Sequence, residues 1–387
     1  MNRLLTAACT FALVATSSAC SITESNEPSS SKGSGKITVE SSADACALTT
    51  SKAPSGNVVF KVKNTGDEVT EFYLYAEDGL RIVGEIENVG PGLSRDLVVR
   101  AAPGSYVTSC RPGMSGKGIR SDFTVTDSGK DTKITGVDQE TIDAATTQYA
   151  AYVKDQSQEL VDQTTEFVDA YKSGDAAKAK ELFPEARQHW ERIETVAEAF
   201  GDLDPKMDLR EADLEQGQEW TGWHRIEKDL WPPASGYQAM TPAERAKYAE
   251  DLLANTQVLD KRVQNLKYTV DQIANGSKGL LDEVASGKIT GEEDIWSHTD
   301  LWDFQANVDG ARVGYEGLKP LLEVKDPELS KQIETAFTNL QTELDKYKDG
   351  DGFVFYDTVT EEQRKQLSDA TNALAEPLSK MTGAITL

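Results

Sequence analysis

Residues 241–276 read TPAERAKYAEDLLANTQVLDKRVQNLKYTVDQIANG and carry both a start and a stop signal of an amphipathic helix. Thr241 and Glu244 have the spacing of a capping box, and Pro242 stands at the first helical position, where proline is tolerated. The segment therefore predicts one long helix that ends at Gly276. Its buried face is formed by apolar side chains at helical spacing, namely Tyr248, Leu252, Leu259, Val263, Leu266, Val270 and Ile273.

The same helical pattern recurs on both sides of this segment. Apolar residues repeat every three or four positions over 149–171 and 301–318. An Asp-Pro start signal opens a further pattern over 326–344, and a Thr-x-x-Gln capping box opens the last one at residue 360. Residues 140–387 are therefore expected to form an all-α domain, an antiparallel bundle of helices around a shared core.

Residues 37–127 have the texture of a β domain. About seven short runs rich in Val, Ile, Phe, Tyr and Thr are separated by turn sequences such as NTGD and GPG. In NVVFKVKN, residues 57–64, apolar and polar side chains alternate, which a strand with one buried face requires. The fold class expected for the whole chain is multidomain β + α, with an antiparallel β-sandwich, a linker over 128–139, and the helical bundle.

The first 36 residues resemble an export and anchoring segment. Residues 1–19 place Arg3 before an apolar run that is too short to span a membrane, as in a signal peptide. Small residues precede Cys20, as in a bacterial lipobox, so Cys20 is expected to be lipidated. Residues 20–36 are rich in Ser and Gly and predict a flexible tether. The expected location is extracytoplasmic, either anchored to the outer face of the cell membrane or periplasmic.

The overall charge limits the classes of partner. Of 387 residues, 65 are Asp or Glu and 40 are Lys or Arg, which gives a formal net charge of −25. Nucleic acids and anionic membrane surfaces attract basic patches, so we expect no nucleic-acid partner and no membrane contact except through the lipid anchor. The His-Glu-x-x-His pattern of zinc proteases and the Gly-x-Ser-x-Gly pattern of hydrolases are both absent.

Histidine is scarce, and His224 is the most informative of the three, the others being His189 and His298. Glu227 follows it by three residues, so on a helix both side chains lie on one face and can bind one cation. A packed, hydrogen-bonded histidine is the alternative. Burial of Glu227 among apolar neighbours would require a partner for its carboxylate. Those neighbours are Trp220, Trp223, Ile226, Leu230 and Trp231.

A second acidic group precedes this motif. Glu191, Glu194 and Glu198 fall on one stripe of a helix, where like charges repel unless a cation offsets them. We expect Glu194 and Glu198 to join His224 and Glu227 across the bundle in one metal site. The alternative is a solvated acidic stripe with Arg187 and Arg192 as partners.

Three blocks of sequence carry a family resemblance. TGWHRIEKDLW, residues 221–231, with VAEAFGDLDPKMDLRE before it and SHTDLWDFQANVDGA after it, resembles the imelysin-like family of metallopeptidase-classed proteins. The Gly-x-His-x-x-Glu motif of that family corresponds to Gly222, His224 and Glu227. The resemblance implies an all-α fold of two related four-helix bundles.

The combination of a β domain and this helical domain on one exported chain is similar to EfeO-type iron-uptake lipoproteins. That resemblance implies a cupredoxin-like N-terminal domain and membership of an EfeUOB-type system. Its partners would be a membrane iron permease and a haem peroxidase. The implied cargo is iron, with copper or zinc as further possible metals.

Candidate ligands in the β domain are sulfur atoms and carboxylates, because no histidine occurs there. The sequence TSCRPGM supplies Cys110 and Met114 four residues apart, and Cys46 is the other thiol of the domain. The EfeO-type resemblance adds Glu71, Glu85 and Glu87. Thiolate and thioether ligands suit copper, so we interpret this set as a copper site, whereas a Cys46–Cys110 disulfide is the alternative in an oxidising compartment.

Three functional hypotheses follow from the sequence. The leading one is an extracytoplasmic protein that binds iron and passes it to a permease, with copper in the β domain oxidising ferrous iron. The second is a cell-surface zinc metallopeptidase that uses His224 and Glu227, and the sequence leaves open whether the protein is an enzyme. The third is an adhesion module with a structural disulfide.

Overall fold

The computed structural model describes residues 36–114, 116–129, 134, 139–214 and 216–387, without the side chains of residues 197, 198 and 286. The signal segment and the lipidation site Cys20 lie outside the described residues. Within the described part of the chain, no helix combines the length and the apolar character needed to cross a membrane.

The prediction of an N-terminal β region followed by a mainly helical region is confirmed. The β region forms two sheets, with strand orders β2-β1-β4-β7 and β3-β9-β8-β5-β6. Its strands are β1 (Ile37–Ser41), β2 (Cys46–Leu48), β3 (Lys52–Pro54), β4 (Gly56–Asn64), β5 (Thr70–Ala76), β6 (Ile82–Val89), β7 (Ser94–Ala101), β8 (Gly104–Pro112) and β9 (Ile119–Thr126).

The two sheets share one apolar core. Phe60 on β4 lies 5.1 Å from Phe72 on β5 and 5.3 Å from Phe123 on β9, measured between ring centroids. All three rings are buried, so they join the two sheets at the centre of the region.

Strand pairing departs from the antiparallel prediction in two places, since β1 pairs with β4 and β3 with β9 in parallel. Parallel neighbours need a connection that crosses over between them. The short strands β2 and β3, which the sequence patterns did not predict, lie on the connection from β1 to β4 and belong to different sheets.

The helical region contains ten α-helices among the described residues, and their apolar faces form one continuous core. They are α1 (Gln139–Ser173), α2 (Ala176–Glu191), α3 (Glu194–Glu198), α4 (Asp204–Met207), α5 (Trp223–Leu230), α6 (Pro242–Val263), α7 (Val270–Ser286), α8 (Asp300–Lys325), α9 (Pro327–Leu344) and α10 (Glu361–Thr386). A two-stranded hairpin, β10 (Lys348–Asp349) with β11 (Gly352–Phe353), precedes α10.

The single helix predicted over residues 241–276 is wrong in its second half. The Thr241 capping box forms as expected, but the helix ends at Val263, and a second one begins after Thr269. Thr269 forms its own capping box with Gln272, so a start signal lies within the apolar pattern. Gly276 lies inside this second helix and does not end it. The absence of a side chain at Gly276 instead lets the helix pack closely against Thr195.

Helix α7 also connects the helical region to the β region. The Asn275 side chain donates a hydrogen bond to the Val98 carbonyl at 3.0 Å, and the Arg100 backbone N–H donates to Asp271 at 2.8 Å. The Val98 carbonyl and the Arg100 N–H both lie on β7. These contacts place α7 against the face of the β region that carries the predicted acidic ligands of β6.

The predicted ligands Glu85 and Glu87 face α7. Glu87 is buried, and the Tyr73 hydroxyl lies 3.3 Å from its carboxylate. Burial, together with the charge of Glu71, raises the pKa of Glu87 to about 8, and burial with the charge of Glu283 on α7 raises the pKa of Glu85 to about 8. Both carboxyl groups therefore hold protons at neutral pH.

Cys46 and Cys110 are joined in a disulfide, with their Cα atoms 5.5 Å apart. A disulfide offers no thiolate, so this finding corrects the interpretation of the two cysteines as metal ligands. The bond links β2 of one sheet to β8 of the other, and it closes a loop of 64 residues. Its role in this state is to hold the two sheets together.

We expect the double substitution Cys46→Ala/Cys110→Ala to lower the free energy of unfolding of the β region by about 2–4 kcal/mol, because a long loop is no longer closed. Peptide-resolved hydrogen exchange of β4, β5 and β8 measures this loss, and reduced wild-type protein is the control. Mass spectrometry that finds both thiols alkylated in native, non-reduced protein would contradict the disulfide.

We expect the free energy of unfolding to fall between pH 5 and pH 8.5. A carboxyl group whose pKa is raised on folding stabilises the chain fully below its unfolded value near 4.5, and this contribution is lost as the pH rises through about 8. Glu87→Gln should reduce the slope by roughly 1 kcal/mol per pH unit. Urea unfolding at pH 5.5, 7 and 8.5 tests this, with exposed Glu40→Gln as the control, and an unchanged slope in Glu87→Gln would refute it.

Candidate metal centre

The centre is built around the first turn of α5. Gly222 precedes the helix at φ 89°, and any Cβ there would collide with the backbone of Met207. Glycine at this position therefore allows α5 to begin directly against the end of α4. His224 and Glu227 point inward from one face of α5, both fully buried, with the imidazole Nδ1 3.0 Å from the Glu227 carboxylate.

Three further carboxylates surround the His224 ring. Asp208, which follows α4, and Glu293, between α7 and α8, each lie 3.3 Å from Nε2, and Asp294 lies 3.8 Å from Nδ1. Burial and the charge of Arg187 lower the pKa of His224, but its hydrogen bonds to carboxylates outweigh them and raise the pKa well above its usual value. The imidazole is therefore protonated in the metal-free protein.

Glu227 is held in place by the segment that precedes α8. Its second oxygen accepts hydrogen bonds from the backbone N–H of Trp296 at 3.1 Å and of Ser297 at 2.7 Å. The Ser297 hydroxyl donates a third hydrogen bond to the same oxygen at 2.8 Å. One oxygen of Glu227 is thus fixed, while the other faces His224.

Arg187 on α2 lies at the centre of the acidic groups and is itself fully buried. Its guanidinium donates hydrogen bonds to Asp303 at 3.0 Å and to Glu293 at 2.8 Å. It also pairs with Asp208, which follows α4, and with Glu191, which ends α2. Asp294 lies 3.6 Å from it.

Lys288 extends the cluster towards α3. Its ammonium group lies 3.0 Å from both Glu191 and Glu194, and the Asn307 side chain donates to Glu194 at 3.1 Å. Glu194 thus belongs to the same buried cluster as His224, but through Asp208 rather than by direct contact. The side chain of Glu198 lies outside the described residues.

Carboxyl groups outnumber cationic side chains among the described residues of this interior. Arg187, Lys288 and His224 face eight buried carboxyl groups. Burial is the main cause that raises the pKa of Asp294 to about 7 and that of Glu191 to about 8. The eight groups are Glu191, Glu194, Asp208, Glu227, Glu293, Asp294, Asp300 and Asp303.

Several of these oxygens have no hydrogen-bond donor. One oxygen each of Asp294, Asp300 and Asp303 is buried and receives no hydrogen bond from the described residues. Unsatisfied buried carboxylate oxygens are costly, and a bound cation would satisfy them. Carboxylates with an imidazole form a hard donor set, which suits iron better than a soft metal.

In the described part of the chain, three groups of buried donor atoms lie close enough to share an ion, with atoms within 4.8 Å of one another. The first group is Asp208 with His224 and Glu293, the second is His224 with Glu227 and Asp294, and the third is Glu191 with Glu194 and Asp208. The first two groups share His224, and the first and third share Asp208.

The ligands predicted in the β region lie elsewhere. Glu71 accepts a hydrogen bond from Tyr73 at 2.9 Å and pairs with Arg111 at 3.4 Å. Met114 lies in the turn after β8, at φ 57°. None of the three donor groups found among the described residues includes a residue of this region.

Most of the centre was not predicted from the sequence. Asp208, Glu293, Asp294 and Asp303 have no diagnostic spacing to His224, because they come from three separate stretches of the chain. The only signal was their place in or beside the three blocks that resemble the imelysin-like family. The sequence predicts Arg187 only as a partner of a solvated stripe, whereas in the structure it is the buried centre of the cluster.

Comparison with known proteins identifies the family to which this chain is similar. The imelysin family model (Peptidase_M75) matches residues 145–381. The Efem/EfeO family lipoprotein of Staphylococcus haemolyticus is 48% identical over 250 residues, which cover 64% of this chain and 85% of that protein. The iron uptake system component EfeO of Escherichia coli K12 is 36% identical over 348 residues, 88% of this chain and 89% of that protein.

A solved structure, described as an iron-regulated protein A precursor of Parabacteroides distasonis, aligns with a TM-score of 0.48 at 16% identity. It covers 65% of this chain and 97% of that chain. The imelysin model matches more than half of this chain, and the Escherichia coli relative aligns with 88% of it, which together show the family. This chain belongs to the imelysin family and, within it, to the EfeO-type proteins.

Proposed function

We propose that this protein is an extracytoplasmic component of an EfeUOB-type iron-uptake system that binds iron in the centre around His224 and passes it to a membrane permease. The observation that carries this proposal is the set of overlapping buried donor groups around His224 and Asp208, together with the buried oxygen of Asp294 that receives no hydrogen bond from the described residues. The Escherichia coli relative is named an iron uptake system component, which supports iron as the cargo.

The chemistry of the cluster suits an ion that is carried rather than one that acts on a substrate. Iron would replace the proton on His224 and share carboxylates with Arg187, so binding would release protons. Glu227 is already oriented by Trp296 and Ser297, and it would meet the ion with the oxygen that faces His224. The ion would be enclosed by protein on all sides.

This enclosure argues against the zinc metallopeptidase alternative. A catalytic zinc site keeps one coordination position open to water and substrate. Here His224 and Glu227 are fully buried, and a peptide has no access to them in this state. Transport of an ion, which needs no room for a peptide, fits the burial better.

The remaining parts of the proposal rest on the resemblance. We propose a cupredoxin-like assignment for the β region, lipidation at Cys20, and a haem peroxidase partner beside the permease. The relative from Staphylococcus haemolyticus is named a lipoprotein, which supports the anchor. A copper site at Glu71, Glu85, Glu87 and Met114 stays a prediction, without the thiolates that copper favours.

We expect His224→Gln and Glu227→Gln each to weaken iron binding at least about 100-fold, because each removes a charge or donor that contacts the ion. Calorimetry at pH 7 with ferrous sulfate under argon, and separately with ferric nitrilotriacetate, measures the affinity. His189→Gln is the matched control, since His189 contacts Gln156 on the far side of α2 and no member of the cluster.

Thermal unfolding of each variant shows whether the fold is retained. Wild-type affinity in both His224→Gln and Glu227→Gln would refute the site. Peptide hydrolysis that depends on zinc and on His224 would favour the metallopeptidase instead.

A further inference from the structure

The centre is closed to solvent in this state. His224, Glu227 and Asp294 have no exposed surface, while Asp208 and Glu293 are each 8% exposed. An ion can reach the ligands only after part of the wall moves. Of these five residues, Asp208 and Glu293 are the two that reach the surface, so we take their side of the site as the path.

Two segments without α-helix form this side, and we name them the 208–214 segment and the 291–299 segment. The first begins with Asp208, and the second carries Glu293, Asp294 and Ser297. Both segments thus contain groups of the centre. The second is bounded by two residues with left-handed backbone, Gly291 at φ 80° and His298 at φ 60°.

Arg210 joins the two segments on the solvent side of Glu293. Its guanidinium lies 3.2 Å from Glu292 and 3.7 Å from Glu293, and it donates a hydrogen bond to Asp213 at 2.7 Å. The Arg210 side chain is 28% exposed, in contrast to the fully buried Arg187. A positive charge therefore lies between solvent and an acidic site.

Lys228 makes a second contact between the same segments, from the outward face of α5. Its ammonium group lies 2.5 Å from both oxygens of Glu211 in the first segment. It also lies 5.2 Å from the ring centroid of Trp296 in the second. The Trp296 ring packs 5.7 Å from that of Trp220.

We propose that Arg210 is the gate of the centre, a residue that holds the 291–299 segment shut over the ligands and is displaced when an ion enters or leaves. Opening would carry Trp296 and Ser297 away from Glu227, so it would release a ligand at the same time as it opens the path. The proposal rests on the proposed iron-binding function for its cargo. The gate itself is a property of the metal-free chain.

The test uses the full chain with Arg210→Gln. Amide hydrogens of Trp296 and Ser297 are bonded to Glu227 and exchange only when the segment opens, so they should exchange about tenfold faster in this variant. Ferrous iron under argon or ferric nitrilotriacetate, mixed by stopped flow, should associate and dissociate about tenfold faster, with less than about a threefold change in Kd.

Two further variants make the result specific. Lys228→Met removes the second contact and should accelerate exchange in the same direction, which keeps the test valid if Arg210→Gln is unstable. Arg262→Gln breaks a similarly exposed ion pair with Asp202 outside both segments, and it should change neither exchange nor iron kinetics.

Wild-type exchange rates at Trp296 and Ser297 in Arg210→Gln would overturn the gate, as would equal acceleration in Arg262→Gln. Unchanged iron kinetics or a lost affinity in Arg210→Gln would also overturn it. If exchange accelerates but wild-type protein takes up no iron, the gate stands and the proposed cargo is wrong.

Discussion

The helical region depends on a buried guanidinium that cannot lose its carboxylate partners. Arg187 ties α2 to Asp208 after α4, to Glu293 before α8, and to Asp303 within α8. Removal of one partner of such a buried pair costs roughly 3–5 kcal/mol, because the other charge stays buried. Apolar side chains would stabilise such a core at lower cost, and the proposed cation site would account for the carboxyl groups that stand there instead.

The same elements position the centre and its boundary. Helix α5 directs His224 and Glu227 inward and Lys228 outward, so one turn of helix connects the ligands to the surface contact. The segment before α8 holds Glu227 with its backbone and supplies Glu293 and Asp294 as well. Short stretches of chain therefore couple the arrangement of the proposed ligands to the proposed access path.

Local signals in the sequence predict much of the fold but little of the candidate metal centre. The capping boxes at Thr241 and Thr360 start helices where expected, because a cap is decided by residues three positions apart. The parallel pairs of β1 with β4 and β3 with β9 depend on long-range topology, which strand patterns do not encode. The buried carboxylates look like surface residues in a sequence, since only tertiary packing shows that they converge on His224.

X-ray absorption at the iron edge of the loaded protein tests the central claim most directly. An ion bound by the cluster should have only oxygen and nitrogen neighbours, with the outer-shell scattering of one imidazole. That imidazole signature should disappear in His224→Gln. A sulfur neighbour, or an imidazole signature that persists in His224→Gln, would show that the iron binds elsewhere and would contradict this account.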